Sequence, residues 1–267
     1  MPCSSRQMLI TSTSNERIKH ARRVREGREP QLIFVEGERL VEECLRSGLT
    51  LSACFHTPEP GERMMALLSS MKEREVPCHP TQPQILASLS DTVTTQGLIV
   101  LAQRPVHALE TALQGAAPLL LGLDRVQDPG NFGTLVRTAE AAGASGIIAL
   151  SGCADAYAPK TLRSAMGSAF RLPIIVGLST DDVADACTAH HLRVVAAAGA
   201  GEMAYYDYDW RQPTLLWLGN EARGLDEPLM ASADVRLRIP LQAGVESLNV
   251  AAAGAAMLFE AVRQRLP

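Results

Sequence analysis

The stretch LLLGLDRVQDPGNFGTLVRTAEAAGASGIIAL, residues 119–150, decides the reading of the fold. Leu119 to Leu123 is apolar along its length, as a strand covered on both faces must be. Asp128-Pro129-Gly130-Asn131 is a turn, with Asn131 standing where a helix cap belongs. A helix is expected from about Phe132 to Ala142 and a strand from Gly146 to Leu150. Strand, helix, strand is the unit from which a parallel α/β sheet is built.

Working towards the C-terminus, further strands are expected at Ile174–Val176, Arg193–Ala197, Leu215–Leu218 and Val235–Ile239, with helices between most of them. A long helix is expected from Ser247 to Leu266. Ser247 is its expected N-cap, and Leu248, Ala251, Ala255, Leu258 and Val262 recur at helical spacing. The small residues from Ala251 to Ala256 keep its first half thin, which suits close core packing or a subunit interface.

Towards the N-terminus the elements alternate: a polar, basic helix from Asn15 to Arg28, a strand Leu32–Val35 and an amphipathic helix Gly37–Ser47. A strand Leu51–Phe55, a helix Met64–Arg74 and a strand Gly97–Ala102 complete a small α/β domain. At about 150 residues per domain, 267 residues suggest two. The expected division is 1–105, a linker at 106–117, and 118–267.

Hydrophobic residues at 46% and charged residues at 20% exclude disordered and fibrous classes. No apolar run is long enough for a membrane span, and Arg6 and Gln7 interrupt what would be a signal peptide. A cytoplasmic protein is expected. Cys3, Cys44, Cys54, Cys78, Cys153 and Cys187 are scattered without zinc spacing, so reduced thiols and no metal are expected. The net charge of −4 is unevenly spread: residues 1–105 carry 13 basic and 12 acidic side chains, the remainder 12 and 17. Arg17, Lys19, Arg22, Arg23, Arg25 and Arg28 crowd one segment. Such a cluster is either a solvated helix face or a local grip on a phosphate backbone.

Three strand-end loops carry the candidate chemistry. The first holds Asn131 and, further along its helix, Arg137, whose plain structural role would be a salt bridge to Glu140. The second is WLGNEARGLD, Trp217 to Asp226, in which Gly219 and Gly224 would let a ligand meet bare backbone. The third is IPLQAGVESLNVAAAG, Ile239 to Gly254, with Ser247 and Asn249 at its helix start. In an open α/β sheet, ligands gather at the C-terminal ends of strands, where all three loops lie. There is no G-x-G-x-x-G after the first strand, no Walker loop and no G-x-S-x-G, so dinucleotides, nucleoside triphosphates and serine hydrolysis are poor candidates.

Taken together in this order, the loops resemble the SpoU (TrmH-like) family of S-adenosylmethionine-dependent RNA ribose 2′-O-methyltransferases. Asn131 with Arg137 is similar to the family's first motif, Gly219-Asn220-Glu221 with Gly224 to its second, and Ser247-Leu248-Asn249-Val250 to its third. In the third, the glycine falls at Gly244, one residue later than is common in relatives. Lys160, Arg163, Ser164 and Gly167 also resemble a family segment, and residues 8–105 resemble the family's N-terminal RNA-binding domain.

The resemblance implies a SPOUT domain, with a deep trefoil knot in its parallel sheet, and a homodimer with the last helix near the interface. It implies S-adenosylmethionine held near Leu218, Gly219, Asn220, Gly224, Ile239, Leu241, Leu248 and Asn249. It implies catalytic roles for Arg137, Asn131, Asn249, Ser247 and Glu221, and RNA contact by the Arg17–Arg28 cluster. A guanidinium is a poor proton acceptor at neutral pH, which favours Arg137 as a clamp on phosphate and developing oxyanion over a role as base. The substrate is expected to be a looped or splayed nucleotide, with ribosomal RNA favoured over transfer RNA. A non-catalytic RNA-binding member of the fold is the alternative of a different class.

Overall fold

The computed structural model describes residues 8–90 and 95–266. They form two compact units. One takes the described residues up to Pro105 together with Tyr157–Arg163, and the other takes Val106–Ala156 and the residues from Ser164 onward. Cys3 and the N-terminal residues weighed against a signal peptide lie outside the described set, apart from Met8, Leu9 and Ile10.

The chain begins with α1 (Glu16–Arg25), β1 (Leu32–Glu36), α2 (Glu38–Arg46) and β2 (Leu51–His56). It continues through α3 (Glu62–Glu73), β3 (Cys78–Pro80), α4 (Pro83–Leu89) and β4 (Leu98–Gln103). The four strands lie in the order β1-β4-β2-β3, with β4 antiparallel to both neighbours and β3 parallel to β2. The three-residue β3 has no readable alternation, which is why it and the short α4 escape the sequence pattern. Helix α1 is shorter than its charge pattern suggests. The Asn15 side chain accepts the Arg17 N–H at its start, and the chain leaves the helix before Gly27 (φ +72°), so Arg28 is not helical. Ile18, Ala21 and Val24 of α1 face Phe34, Phe55, Leu86 and Leu101 in the core of this unit.

After β4 come α5 (Leu109–Ala112), β5 (Leu119–Leu123), α6 (Pro129–Ala141), β6 (Gly146–Ala149) and α7 (Pro159–Ala165). A 3₁₀ turn at Ser168–Phe170 leads into β7 (Ile174–Val176), α8 (Thr180–Ala189), β8 (Arg193–Ala197) and β9 (Met203–Ala204). β10 (Thr214–Leu218), α9 (Glu227–Ser232), β11 (Val235–Arg238) and α10 (Val250–Arg265) complete the chain. The seven strands follow the order β7-β6-β5-β10-β8-β11-β9, and every pairing is parallel. The loops that follow β5, β8, β10 and β11 therefore open at one end of the sheet.

Packing explains the unbroken apolarity of β5, whose five residues are all buried. Gly122 pairs with Trp217 of β10, and a Cβ there would lie 2.3 Å from an indole carbon; only glycine leaves room for the buried ring. Leu120, Ile148, Trp217, Val183 and Leu229 share one core cluster. Ala112 of α5 is fully buried in it, so the segment expected as a linker contributes to the second unit's core. Helix α10 packs on α6, and its Gly254 lies where a Cβ would meet Leu135 and Leu218. Close core packing thus accounts for part of the thin first half of α10.

Among the described residues, no helix is long and apolar enough to cross a membrane. The five described cysteines are free.

Candidate active site

Two helix starts differ from the sequence expectation, and both differences build the site. The N-cap of α6 is Asp128, whose carboxylate accepts the Asn131 N–H at 2.8 Å. Proline at the first helical position needs no donor, so the helix begins at Pro129 and Asn131 lies inside it. Its side chain is free for other work. The N-cap of α10 is Asn249 rather than Ser247, and its Oδ1 accepts the N–H groups of Ala251 (2.9 Å) and Ala252 (3.3 Å). Ser247 lies in the exposed loop before the helix.

The freed amide of Asn131 and the capping amide of Asn249 meet. Asn249 donates from Nδ2 to Asn131 Oδ1 at 2.9 Å, and Asn131 donates from Nδ2 to Glu221 Oε1 at 3.1 Å. One directional chain of hydrogen bonds thus runs from the amino end of α10, through both asparagines, to a carboxylate in the loop after β10. Each amide is oriented by a donor on one side and an acceptor on the other, which fixes which way round it sits. Residues separated by 118 positions are joined, and all three sequence motifs enter one network.

The loop after β10 is a tight hairpin. Asn220 and Gly224 exchange both backbone hydrogen bonds, at 3.0 and 2.8 Å. A Cβ on Gly219 would lie 2.2 Å from the Gly224 carbonyl carbon, so no other residue fits. Gly224 itself has φ +69°. The Asn220 side chain is spent on the loop: Oδ1 accepts from Ala222 and Arg223, and Nδ2 donates to the Arg125 carbonyl at 2.8 Å. Gly244, in the loop before α10, also has positive φ (+90°), so that loop needs a glycine where this sequence places it.

A cavity of about 300 Å³ lies against these loops. Leu218, Gly219, Asn220 and Gly224 line it from β10 and its hairpin, and Ile239, Leu241 and Leu248 from the segment between β11 and α10. Glu221 and Ser247 line it too, whereas Asn249, Asn131 and Arg137 do not. Sequence reasoning missed Ala197, Ala198 and Gly199 at the end of β8, together with Glu246 and Met257. The signal for the first three is legible afterwards as a run of small residues ending a strand. Among the described residues no cluster of His, Cys, Asp or Glu is grouped as a metal site.

Arg137 stands apart on α6, exposed, and its guanidinium has no hydrogen-bond or ion-pair partner among the described residues. The salt bridge to Glu140 does not form. Glu140 instead takes Arg171 in a two-pronged pair at 2.6 and 2.9 Å, which holds its carboxyl below the usual range.

In the first unit the six basic residues separate by partner. Lys19 pairs with Glu16, Arg23 with Glu29 and Arg28 with Glu26. Arg25 donates to the Leu89 carbonyl at 3.0 Å, a structural contact with α4. Arg17 and Arg22 keep unpaired guanidiniums among the described residues. Burial, with Arg17 and His56 nearby, lowers the pKa of His79 on β3.

Residues 118–259 match the SpoU rRNA methylase family, and residues 15–100 match an MRM3-like substrate binding domain. The chain belongs to the SpoU rRNA methylase family. This SpoU-family chain is 32% identical to the 23S rRNA (guanosine(2553)-2′-O)-methyltransferase RlmP of Bacillus subtilis, over 94% of its own length and 97% of that protein's. It is also 32% identical to the human mitochondrial rRNA methyltransferase 3, over 87% of this chain and 67% of that one. Among solved structures it resembles the AdoMet-bound rRNA methyltransferase from Sinorhizobium meliloti, at 30% identity and a TM-score of 0.88 over 97% and 99% of the two chains. The SpoU methyltransferase AviRb from Streptomyces viridochromogenes, in complex with AdoMet, aligns at 28% identity with a TM-score of 0.85, over 94% and 98% of the two chains.

Proposed function

We propose that this chain methylates the ribose 2′-hydroxyl of a nucleotide in ribosomal RNA, using S-adenosylmethionine as methyl donor. The observation that carries the reading is the Glu221–Asn131–Asn249 chain, which unites all three family motifs beside a cavity at the C-terminal ends of the parallel strands. The cavity fits the cofactor chemically. Leu218, Ile239 and Leu248 offer apolar walls, Gly219 and Gly224 offer bare backbone, and Glu221 and Glu246 offer negative charge to a cationic ligand. When bound, the cofactor supplies a methyl group on a sulfonium, already a strong electrophile.

What this chain must add is orientation and a nucleophilic 2′-oxygen. Asn131 and Asn249, locked by their mutual hydrogen bond, position the ribose side of the site, while Ser247 and Glu221 shape the cofactor loop. Arg137, exposed and uncommitted, binds the adjoining phosphate and stabilises negative charge developing on the 2′-oxygen as its proton passes to solvent and the sulfonium leaves as the neutral sulfide. In this reading an RNA-binding domain at 1–105 and a catalytic SPOUT domain at 118–267 are joined by 106–117, whose α5 packs into the catalytic domain's core, and the protein acts in the cytoplasm. Arg17, Lys19, Arg22, Arg23, Arg25 and Arg28 serve RNA, with Arg17 and Arg22 the most available.

Ribosomal RNA is preferred to transfer RNA because RlmP and the Sinorhizobium meliloti protein, both matched over nearly their whole length, are named as rRNA methyltransferases. The reading includes a trefoil knot and a homodimer with α10 near its interface. Sedimentation should give twice 28.7 kDa, and a monomer would remove the dimer. The activity itself is tested by incubating the purified chain with labelled S-adenosylmethionine and unmodified rRNA or tRNA. Label in a single ribose of rRNA is expected. Label only in tRNA reverses the substrate choice, and no transfer to either favours the non-catalytic alternative.

A further inference from the structure

Beside the hairpin lies a corner to which neither the motifs nor the proposed mechanism gives a role. Arg125, directly after β5, has φ +52°, a left-handed backbone unfavourable for a long side chain. Its Nε is buried without a hydrogen-bond partner among the described residues. Such costs persist where surrounding contacts impose them, and here those contacts are specific. The guanidinium reaches Asp124 at 3.0 Å and Asp226 at 2.8 Å. Asp124, itself buried, also accepts the Asp226 N–H at 2.9 Å. The left-handed turn presents the Arg125 carbonyl to Asn220 Nδ2 at 2.8 Å. One residue thus grips the hairpin at both ends, Asn220 at its start and Asp226 just past its close.

We propose that Arg125 is a positioning residue for the cofactor: it holds the 219–226 hairpin in the shape that walls the cavity. The inference rests on reading that cavity as the S-adenosylmethionine site. Arg125 does not line the cavity and acts through Asn220 and Asp226. It therefore governs how well the cofactor is held rather than the rate of methyl transfer once it is held.

The test uses the full chain and S-adenosylhomocysteine as calorimetric probe. Arg125→Gly keeps the left-handed backbone and its carbonyl while deleting the guanidinium. Loss of a charge-assisted contact should weaken probe binding about tenfold and raise KM for S-adenosylmethionine in parallel, with kcat changing less than about threefold. Asp226→Asn, at an exposed position, should weaken binding similarly and keeps the test alive if the glycine variant folds poorly. The double variant should bind no worse than the weaker single one, because both act through one contact. Arg125→Lys should restore part of the affinity. Wild-type affinity in folded Arg125→Gly, or strictly additive losses in the double variant, overturns the proposal. If the wild-type chain binds no probe, the cofactor reading itself falls, which is a separate outcome.

Discussion

At the scale of single residues, the informative contrast is between Arg137 and its neighbour Glu140. A carboxylate three residues along a helix is the ordinary partner for an arginine. Glu140 is nonetheless committed to Arg171, a residue brought near only by the fold. An exposed guanidinium left without a partner costs little and is available to a phosphate. Arg137→Ala should therefore lower methyl transfer by about 10²–10³, as for removal of one preorganised charge stabiliser. Melting temperature and S-adenosylhomocysteine affinity should stay near wild type. Arg137→Lys keeps charge without the planar fork and should recover only part of the rate. Near-normal single-turnover methylation by Arg137→Ala would remove this side chain from the mechanism.

At the scale of elements, helix starts decide which polar side chains remain free. Ser247 and Asn249 are both residue types that cap helices, and sequence preference scarcely separates them. The structure assigns the cap to Asn249, whose Oδ1 takes two backbone donors while its Nδ2 reaches Asn131. Asn249→Ala should then cost about 1 kcal/mol in stability. Ser247→Ala, in an exposed loop, should stay within about 0.5 kcal/mol. Urea midpoints of the two variants compare them directly. Equal losses would mean that the cap is shared. The same reasoning explains α6, where Asp128 and Pro129 set the helix start and release Asn131 to the site.

For the whole molecule, formal charge misleads unless pairings are known. Six basic side chains in one segment read as a strong cationic patch, yet Glu16, Glu26 and Glu29 pair with four of them, and one of the four, Arg25, also serves the α4 end. If the first unit contacts RNA, Arg17 and Arg22 should dominate. Replacing both by Gln should flatten the plot of log affinity against log salt by roughly one to two, since fewer counterions are released. Arg25→Gln should instead lower stability through the lost Leu89 contact. RNA-binding titrations at several salt concentrations distinguish the two. An unchanged slope for Arg17→Gln/Arg22→Gln would return the cluster to an ordinary solvated face.

The sequence by itself determined the parallel α/β class, because β5 is apolar along its whole length and a turn, helix and strand follow it. It also located the hairpin glycines, because a Cβ at Gly219 would lie 2.2 Å from backbone and the left-handed φ of Gly224 favours glycine. Hydrophobic periodicity and turn chemistry are local, so they survive in a string of letters. What the tertiary structure decided was partnership. That Asn249 reaches Asn131, which carboxylate holds Arg171, and that Arg125 clamps Asn220 and Asp226 all depend on residues distant in sequence. A hydrogen bond or ion pair is chosen by distance and direction in three dimensions, and neither quantity is encoded in the spacing of residues along the chain.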